Sequence, residues 1–347
     1  MNVLTRKGER VVRIAVDAMG GDHAPAAPLE GAIRALAADP LLAVVLVGPE
    51  AQLRSQIPES LRGRLTVVDA REQVGEEPSP ARAVRRRSEA SVTVAARLVA
   101  QGRADGGLSV GNTGAVLAAA TLELGLLPGV TRPMAGAVFP FAPRTFLADL
   151  GANAEVSPRH LVEFARVGAA WAQWAFGMPE PTVALLANGR EAGKGTRQVR
   201  EAARLLAAEG SLHFVGLAEP QDVVAGRVNV AITDGYAGNL VLKFVEALSG
   251  WYLARLDEGL ARSHILAEDL RSLRRQAWEL SDLTRIASAI VMLGVDGVFL
   301  PGHGRAEAPD IARLIARAAT AVRDDLTGHL ARSLGAGAPT HPERLGS

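Results

Sequence analysis

The fold class of this chain is decided by the segment Val12-Arg13-Ile14-Ala15-Val16-Asp17-Ala18-Met19-Gly20-Gly21-Asp22-His23-Ala24-Pro25. It begins with a short run rich in β-branched residues, continues through two adjacent glycines, and leads into the alanine-rich stretch 27–38. Such a run is typical of a buried strand, and the alanine-rich stretch has the length of a helix. The segment therefore predicts a strand, a tight glycine turn and a helix, which is the repeating unit of a parallel sheet.

The same alternation continues along the chain. Further short apolar or β-branched runs lie at 43–47, 65–68, 106–110, 182–187, 212–215 and 228–233. Stretches of helical length lie at 27–38, 81–101, 113–124, 158–176, 195–208 and 239–256, with a last strand predicted at 296–300 and a last helix near 309–326. This alternation predicts an α/β fold with a mostly parallel sheet sandwiched by helices.

The sequence shows no linker that would divide it into independent parts, so residues 1–334 are expected to form a single α/β catalytic domain. Between 251 and 283, apolar residues recur at helical spacing among charged residues without a strand signal. This pattern predicts a helical insertion at about 251–285. The tail 335–347 is rich in glycine and proline and is predicted to be disordered.

The composition excludes several classes of protein. The 347 residues include no cysteine, which excludes thiolate nucleophiles, acyl-cysteine intermediates, iron–sulfur clusters and cysteine-based zinc sites. The 38 basic and 37 acidic residues give a net charge of +1, which provides no global field for nucleic acid. No apolar stretch reaches the roughly 18 residues of a membrane-spanning helix, and the first residues lack the apolar segment of a secretory signal. A cytoplasmic location is therefore expected.

Three common enzyme signatures are missing from the sequence. There is no G-x-G-x-x-G after the first strand, no H-E-x-x-H or other cluster with metal-ligand spacing, and no G-x-S-x-G. The sequence therefore predicts no dinucleotide cofactor, no metal and no serine hydrolase.

Ligands of open parallel sheets bind beyond the carboxyl ends of the strands, so the strand-to-helix loops hold the candidate site residues. In the first loop, Gly20 and Gly21 let the backbone approach an anion in front of the following helix. The alternative is an ordinary tight turn in which Asp22 caps the helix. In the second loop, Asn112 and Thr113 can cradle phosphate, or they simply cap the next helix.

Lysine is scarce, since the sequence contains only Lys7, Lys194 and Lys243. Lys194 lies in the glycine-rich loop 188–196, which lacks P-loop spacing because a glycine separates the lysine from the following threonine. A nucleoside triphosphatase is therefore not expected. We interpret Lys194 as an anion-binding residue, with a solvated surface charge as the alternative.

The loop after 228–233 contains Asp234, Asn239 and Lys243. Asn239 and Lys243 lie four residues apart, which places an amide and an ammonium on one face of a helix. The alternative is that Asp234 only caps this helix and Lys243 is solvated.

Two more loops carry polar groups. Asp149 and Asn153 lie in one, and His303 lies between two glycines in the other. His23 and His303 are the two histidines best placed to exchange protons near neutral pH.

Taken together, these loops resemble those of the bacterial phosphate acyltransferase family, the acyl carrier protein:phosphate transacylases of phospholipid synthesis. The resemblance extends from Arg13 to about Ala318, and the order and spacing of the motifs make it specific. The motifs are Asp17-Ala18-Met19-Gly20-Gly21-Asp22, Gly111-Asn112-Thr113-Gly114-Ala115, Asp149-Leu150-Gly151-Ala152-Asn153, Glu191 with Lys194-Gly195, Asp234-Gly235 with Gly238-Asn239 and Lys243, and Leu293-Gly294-Val295-Asp296-Gly297.

The resemblance implies a reaction in which orthophosphate attacks the thioester of an acyl carrier protein and releases free carrier and an acyl phosphate. It implies a fold related to those of phosphotransacetylases and of isocitrate and isopropylmalate dehydrogenases, with no metal or other cofactor. A homodimer, weak peripheral contact with the inner membrane face and a downstream membrane acyltransferase as partner follow from the same source. Because phosphate is itself the nucleophile, a chain without cysteine fits this chemistry.

The candidate catalytic residues are His23, Asp234, Asn239 and Lys243. The candidate substrate-binding residues are Asp17, Gly20, Gly21, Asp22, Asn112, Thr113, Asp149, Asn153, Lys194 and His303. The two lysines and the backbone of the first two loops are expected to hold phosphate. Either Asn239 or Asn153 is expected to stabilise the oxyanion, and either His23 or Asp234 to handle the proton.

The chain departs from the family pattern in two places, where Ala287-Ser288-Ala289-Ile290 replaces a paired glycine and Arg305-Ala306 replaces a small polar pair. Both places are expected to border the acyl channel or the dimer contact, so they concern acyl-chain preference. The predicted helical insertion is poorer in Phe and Lys than a strong membrane-contacting hairpin, which predicts weak membrane attachment.

Two other functions remain open. One is a short-chain phosphotransacetylase that acts on acyl-coenzyme A, and the other is a non-catalytic membrane scaffold. An acidic carrier protein is expected to dock on a local arginine patch, for which 82–87 and 271–275 are candidates and a solvated helical face is the alternative.

Overall fold

A computed structural model describes residues 10–75, 79–139, 144–261 and 290–335. The chain forms two compact units. The first unit comprises the residues up to Pro133, Trp174–Phe176 and the residues from Val291 onward, and the second comprises Met134–Gln173 and Gly177–Ile290. Because the chain passes between the units four times, no single linker marks their boundary in the sequence. The single catalytic domain over 1–334 stays a prediction.

Strands and helices alternate along the described residues, which confirms the predicted α/β class. The strands are β1 (Val12–Asp17), β2 (Leu42–Gly48), β3 (Leu65–Asp69), β4 (Gly106–Ser109), β5 (Met134–Phe139), β6 (Thr145–Ala148), β7 (Val183–Leu186), β8 (Phe214–Ala218), β9 (Val230–Ile232), β10 (Val291–Leu293) and β11 (Val298–Pro301). The helices are α1 (Ala26–Ala38), α2 (Glu50–Arg54), α3 (Pro80–Arg86), α4 (Ser91–Ala100), α5 (Thr113–Leu124), α6 (Pro158–Phe176), α7 (Arg197–Glu209), α8 (Pro220–Val224), α9 (Gly235–Ala261), α10 (Ala308–Arg323) and α11 (Leu326–Ser333).

The sheet of the first unit is parallel throughout, in the order β11-β4-β1-β2-β3. All residues of β2 and β4 are buried, as expected for strands covered by helices on both faces. The register aligns Val16 of β1 with Leu108 of β4. Because the carboxyl ends of parallel strands lie at the same edge, the loops that follow β1 and β4 meet there.

Close packing in the first unit requires glycine at two positions. A Cβ on Gly107 of β4 would lie 2.6 Å from the ring of Phe299, which is completely buried. A Cβ on Gly31 of α1 would lie 2.8 Å from Ile311 of α10. Without a side chain at these positions, β4 packs closely on Phe299 and α1 packs closely on α10. This packing supports the loops at the carboxyl ends of the strands.

Within the second unit, five strands lie side by side in the order β5-β6-β9-β7-β8. The β5–β6 pair is antiparallel, and the other neighbours are parallel. The core of this unit includes Phe139, Leu147, Leu150, Ala184 and Leu242. Since Leu242 belongs to α9, this core fixes the first turns of α9 next to the carboxyl ends of β6 and β9.

Two predicted helices, 113–124 and 158–176, have the bounds of α5 and α6. The described strands form two sheets. The prediction of one helix over 81–101 is wrong, because α3 and α4 are separate helices. The break lies at Ala90, which pairs with Glu72 in a β-bridge, while the Ser91 N–H donates to the Glu72 carbonyl at 2.9 Å.

Strands β5 and β6 are not predicted by the sequence pattern, because their residues include few β-branched side chains. Helix α9 begins at Gly235 rather than at 239 and continues to Ala261. Residues 262–289 lie outside the described residues. They include most of the predicted insertion, the 271–275 arginine patch and the departure at 287–289. Residues 336–347 of the predicted disordered tail also lie outside them.

Candidate functional site

A small cleft lies in the first unit, beyond the carboxyl ends of β1 and β4. Its lining comes from the segments after β1, β3 and β4 and from the starts of α4 and α5. The lining residues are Asp17, Met19, Gly20, Gln73, Val74, Ser91, Val92, Ser109, Gly111, Asn112, Ala115 and Val116. The cleft therefore lies where the sequence predicts ligand binding.

Asp17 is buried in the wall of this cleft. The Ser109 hydroxyl donates to Asp17 Oδ2 at 2.6 Å, and the Met19 N–H donates to Asp17 Oδ1 at 3.0 Å. The Gly111 N–H in turn donates to Ser109 Oγ at 3.1 Å. Burial raises the pKa of Asp17 above its usual value, and hydrogen bonds from Ser109, Ser91 and Met19 partly offset the rise. Asp17 thus links the turn after β1 to the turn after β4.

The glycines of the first loop allow backbone to approach backbone. A Cβ on Gly20 would lie 2.7 Å from Gly111 N, so a side chain there would separate the two loops. Gly21 has a φ of +88°, and the neighbouring Asp22 N–H donates to the Gly304 carbonyl at 2.8 Å. Three of the predicted loops therefore meet at one edge of the first sheet.

Asn112 caps α5, since its Oδ1 accepts a hydrogen bond from the Ala115 N–H at 3.1 Å. The capping alternative is thus what the structure shows, and Asn112 also lines the cleft. The neighbouring Thr113 is exposed. An anion in the cleft would face the first turn of α5, where backbone N–H groups and the helix dipole favour negative charge.

The two candidate histidines lie in the loops that meet at this edge. His23 and Asp22 are exposed, and His303 is half-buried. His303 Nδ1 accepts a hydrogen bond from the Arg305 N–H at 3.2 Å, which places the proton of a neutral imidazole on Nε2. Asp22 therefore joins the first loop to the loop after β11 through its backbone N–H, while its side chain is exposed.

In the second unit, Asp149 is fully buried and organises the loop after β6. It accepts five hydrogen bonds, from the N–H groups of Ala135, Gly151, Ala152 and Asn153 and from the Asn153 side-chain amide. Burial raises the pKa of Asp149, and these hydrogen bonds partly offset the rise. Asp149 is thus a structural centre of this loop, and the Asn153 amide is engaged with it.

The start of α9 packs directly on the Asp149 loop. A Cβ on Gly238 would lie 1.8 Å from the Asp149 carbonyl oxygen, and a Cβ on Gly235 would lie 2.7 Å from the Asn153 carbonyl oxygen. Asn239 is exposed beside Gly151, where a Cβ would lie 3.5 Å from Asn239 Cβ. The structure therefore brings Asp149, Asn153 and Asn239 together.

Asp234 caps α9 and the Lys243 side chain is largely in solvent, which was the alternative interpretation of these two residues. Asp234 Oδ1 accepts from the Ala237 N–H at 2.8 Å and caps α9. Lys243 Nζ lies 2.9 Å from Glu246 Oε2, and the lysine side chain is 60% exposed. Asn239 and Lys243 nevertheless remain exposed one turn apart, as the sequence predicts.

The loop that carries Lys194 is held by its own hydrogen bonds. The Gly195 N–H donates to Asn188 Oδ1 at 2.9 Å, and the Lys194 N–H donates to the Glu191 carbonyl at 2.9 Å. Gly195 has a φ of +81°, which favours glycine at that position. The Lys194 side chain is exposed, so it can reach an anion outside the loop.

Arg190 anchors this loop to the start of α8. Its Nε donates to Asp222 Oδ2 at 3.0 Å, and Arg227 Nη1 donates to Asp222 Oδ1 at 2.9 Å. Burial alone would raise the pKa of Asp222, but hydrogen bonds from the Glu219 N–H and from both arginines lower it to about 2. Asp222 is therefore ionised at neutral pH and bridges two arginines.

Each unit thus carries its own group of predicted residues. The first unit contains Asp17, Gly20, Gly21, Asp22, His23, Asn112, Thr113 and His303. The second unit contains Asp149, Asn153, Lys194, Asp234, Asn239 and Lys243.

Sequence reasoning missed several residues that shape these groups. Ser109 ends β4 one residue before the glycine loop, so its position at a strand end was a usable signal. Ser91, Gln73 and the Arg190–Asp222 pair depend on the break between α3 and α4 or on contacts between distant segments, which no local pattern reveals.

Comparison with known proteins agrees with the loop motifs. A family model described as "Fatty acid synthesis protein" matches residues 12–328. A phosphate acyltransferase of Nostoc sp. is 38% identical over 334 residues, which cover 93% of this chain and 96% of the relative. A phosphate acyltransferase of Myxococcus xanthus is 38% identical over 345 residues, which cover 96% of this chain and 97% of the relative.

Solved structures confirm the predicted relation to the phosphotransacetylase fold. A phosphotransacetylase from Streptococcus pyogenes superposes with a TM-score of 0.59 at 18% identity, covering 91% of this chain and 95% of that chain. At this identity the likeness concerns the fold alone. The family match over 12–328 and the relatives at 38% identity are decisive, and this chain belongs to the phosphate acyltransferase family.

Proposed function

We propose that this protein transfers a fatty acyl group from the thioester of an acyl carrier protein to orthophosphate and so supplies acyl phosphate for phospholipid synthesis. The observation that carries the proposal is the 38% identity to proteins named phosphate acyltransferase over more than nine-tenths of the chain. Acyl phosphate would then pass to a downstream membrane acyltransferase.

In the proposed reaction, a phosphate oxygen attacks the thioester carbonyl carbon and forms a C–O bond. The tetrahedral intermediate then collapses, the C–S bond breaks, and the carrier leaves as a thiolate, which takes up the proton that the hydrogen phosphate loses on attack. No covalent enzyme intermediate is needed, because phosphate is the nucleophile. The protein has to orient the reactants and stabilise the oxyanion.

The first-unit cleft is the proposed place for phosphate. Gly20 and Gly111 let the anion approach backbone, and Asn112 begins the helix that faces it. Lys194 and Lys243 belong to the second unit, and we keep them as proposed anion-binding residues of that unit, since both side chains are exposed.

Existing hydrogen bonds favour one residue of the pair predicted for the oxyanion and one residue of the pair predicted for the proton. Asn239 is the better proposal for the oxyanion, because the Asn153 amide already donates to Asp149 at 2.9 Å. His23 is the better proposal for the proton, because Asp234 Oδ1 already accepts from the start of α9 at 2.8 Å.

The anion role of Lys194 and Lys243 is tested in an assay of phosphate-dependent release of the free carrier from its acyl thioester. The assay compares the wild type with Lys194→Ala and Lys243→Ala. We expect each substitution to raise the KM for phosphate by about 10-fold or more, because a charge-assisted contact is lost. Arg204→Ala is the matched control, since Arg204 is an exposed cation of the same unit paired with Glu201. Unchanged phosphate dependence in both lysine variants contradicts the anion role.

The same assay separates the alternative functions. A strict preference for acyl-coenzyme A over the carrier thioester supports a short-chain phosphotransacetylase. No release by folded wild-type protein supports the scaffold.

We also propose a homodimer formed through α9. Tyr236, Leu240, Phe244, Leu248 and Tyr252 follow one another at four-residue intervals, and each is exposed. Their spacing places them on one face of the helix, here called the α9 apolar face. An exposed apolar stripe of this kind is typical of an interaction surface, and a second copy of the chain presents the same stripe.

Membrane contact is proposed only as a weak peripheral association. No helix within residues 10–75, 79–139, 144–261 and 290–335 is both long and apolar enough to cross a bilayer.

A further inference from the structure

Helix α3 presents three arginines to solvent. Arg82, Arg85 and Arg86 occupy positions i, i+3 and i+4, so they share one face of the helix, while Ala83 and Val84 are buried on the other. We name the three residues the α3 arginine face.

The charges of this face are not neutralised by the described residues. None of its three side chains forms a hydrogen bond or an ion pair with any described residue, although each is exposed. Several other exposed arginines of the same unit are paired, as in the 2.8 Å contact between Arg54 and Glu50. Glu76 and Glu77 precede the helix in sequence and lie outside the described residues.

Helix α3 also borders the cleft of the same unit. At its start, Pro80 packs on α5, where a Cβ on Gly114 would lie 2.9 Å from Pro80 Cγ. At its end, Arg87 Nη1 donates to the carbonyl of Gln73, a residue of the cleft lining, at 3.0 Å. The helix that carries the arginine face therefore borders the proposed phosphate site at both of its ends.

We infer that the α3 arginine face is the docking surface for an acidic carrier protein, whose carboxylates pair with the three guanidinium groups while its thioester enters the cleft. This inference rests on the proposed function. Since the net charge of the chain is only +1, a local patch must provide the attraction for an acidic partner. Guanidinium groups suit this role because they bind carboxylates in a bidentate manner and steer encounter.

Direct binding tests the surface without relying on catalysis. Fluorescence anisotropy of labelled acyl carrier protein at low salt compares the wild type with the triple variant Arg82→Glu, Arg85→Glu, Arg86→Glu. We expect the Kd to rise about 10-fold or more in the triple variant, and the wild-type Kd to rise with salt. The control changes three exposed, glutamate-paired arginines of the same unit, Arg34→Glu, Arg54→Glu and Arg62→Glu, and is expected to bind within about 2-fold of wild type.

Steady-state kinetics separate docking from chemistry. In the triple variant, the KM for the acyl carrier protein thioester should rise about 10-fold, while kcat/KM for a small acyl-pantetheine thioester stays within about 2-fold of wild type. Equal losses with both thioesters would place the effect in the cleft or the fold and overturn the inference.

Two further outcomes also overturn it. One is carrier binding that does not change in the triple variant. The other is loss of binding to phosphatidylglycerol vesicles with carrier binding intact, which would assign the face to a lipid surface. If the wild type releases no carrier in the presence of phosphate, the proposed function fails, and the anisotropy measurement still decides whether the face binds the carrier.

Discussion

Gly238 decides whether helix α9 can start against the Asp149 loop. We expect Gly238→Ala to destabilise the fold by about 3 kcal/mol, because the added Cβ would lie 1.8 Å from a backbone oxygen that cannot move freely. Urea unfolding followed by circular dichroism measures this change.

Gly250 in the same helix is the matched control for this prediction. A Cβ there meets no atom within 4 Å. We expect Gly250→Ala to stabilise the protein by about 0.5–1 kcal/mol, because alanine is the better helix residue. Equal effects of the two substitutions would show that the helix, rather than its contact with the Asp149 loop, is what the change perturbs.

The raised pKa of Asp17 predicts how the free energy of unfolding depends on pH. Its pKa is raised in the folded state, so the folded protein binds the proton more tightly than the unfolded chain. The stability from this group is complete below the usual value of 3.8 and is lost as the pH rises through the raised value. We expect Asp17→Asn to reduce the fall in stability over this pH range.

The free energy of unfolding of the wild type and Asp17→Asn, measured in urea at closely spaced pH values, tests this sign. Asp149 also has a raised pKa and keeps its contribution in both proteins, so only the difference between the two curves is informative. Parallel curves would contradict the prediction.

At the scale of elements, helix α9 carries both site residues and the proposed dimer surface. We expect Leu240→Glu with Phe244→Glu to convert a dimer into a monomer, because two charges would have to be buried in the contact. Sedimentation velocity of the purified protein measures this. Leu205→Glu with Val224→Glu is the control, since both residues are exposed and lie outside α9.

A monomeric wild type, or a dimer that survives the α9 substitutions, contradicts the proposed dimer surface. Loss of vesicle binding without a change in sedimentation would assign the α9 apolar face to the membrane instead.

Local sequence patterns predict elements well where a single strand or helix is sufficient. Helices α5 and α6 begin after the capping residues Asn112 and Ser157, and each ends at a glycine, Gly125 or Gly177. The same patterns fail where another segment decides the structure. The break before α4 depends on pairing between Ala90 and Glu72, and β5 and β6 depend on each other as an antiparallel pair.

The candidate site shows the same division. The glycine loops were predictable because Gly20 and Gly21 follow a strand directly. The contact between Asp17 and Ser109 was not, since the two residues are 92 positions apart and meet only through the register of β1 and β4. Sequence spacing also left open whether Asp234 caps α9, which its hydrogen bond to the Ala237 N–H now shows.

At the scale of the whole molecule, the near balance of 38 basic and 37 acidic residues conceals local differences. The first unit combines the α3 arginine face with a cleft that meets the start of α5. Guanidinium groups at the surface and backbone N–H groups at a helix start both favour anions. This combination would suit the proposed reaction, which brings phosphate to an acyl group on an acidic carrier.

The most direct test of that account is phosphorus-31 NMR of purified protein incubated with acyl carrier protein thioester and orthophosphate. We predict that acyl phosphate appears in the same amount as free carrier and that neither appears without phosphate. Free carrier formed together with fatty acid and without acyl phosphate would show hydrolysis and contradict the account.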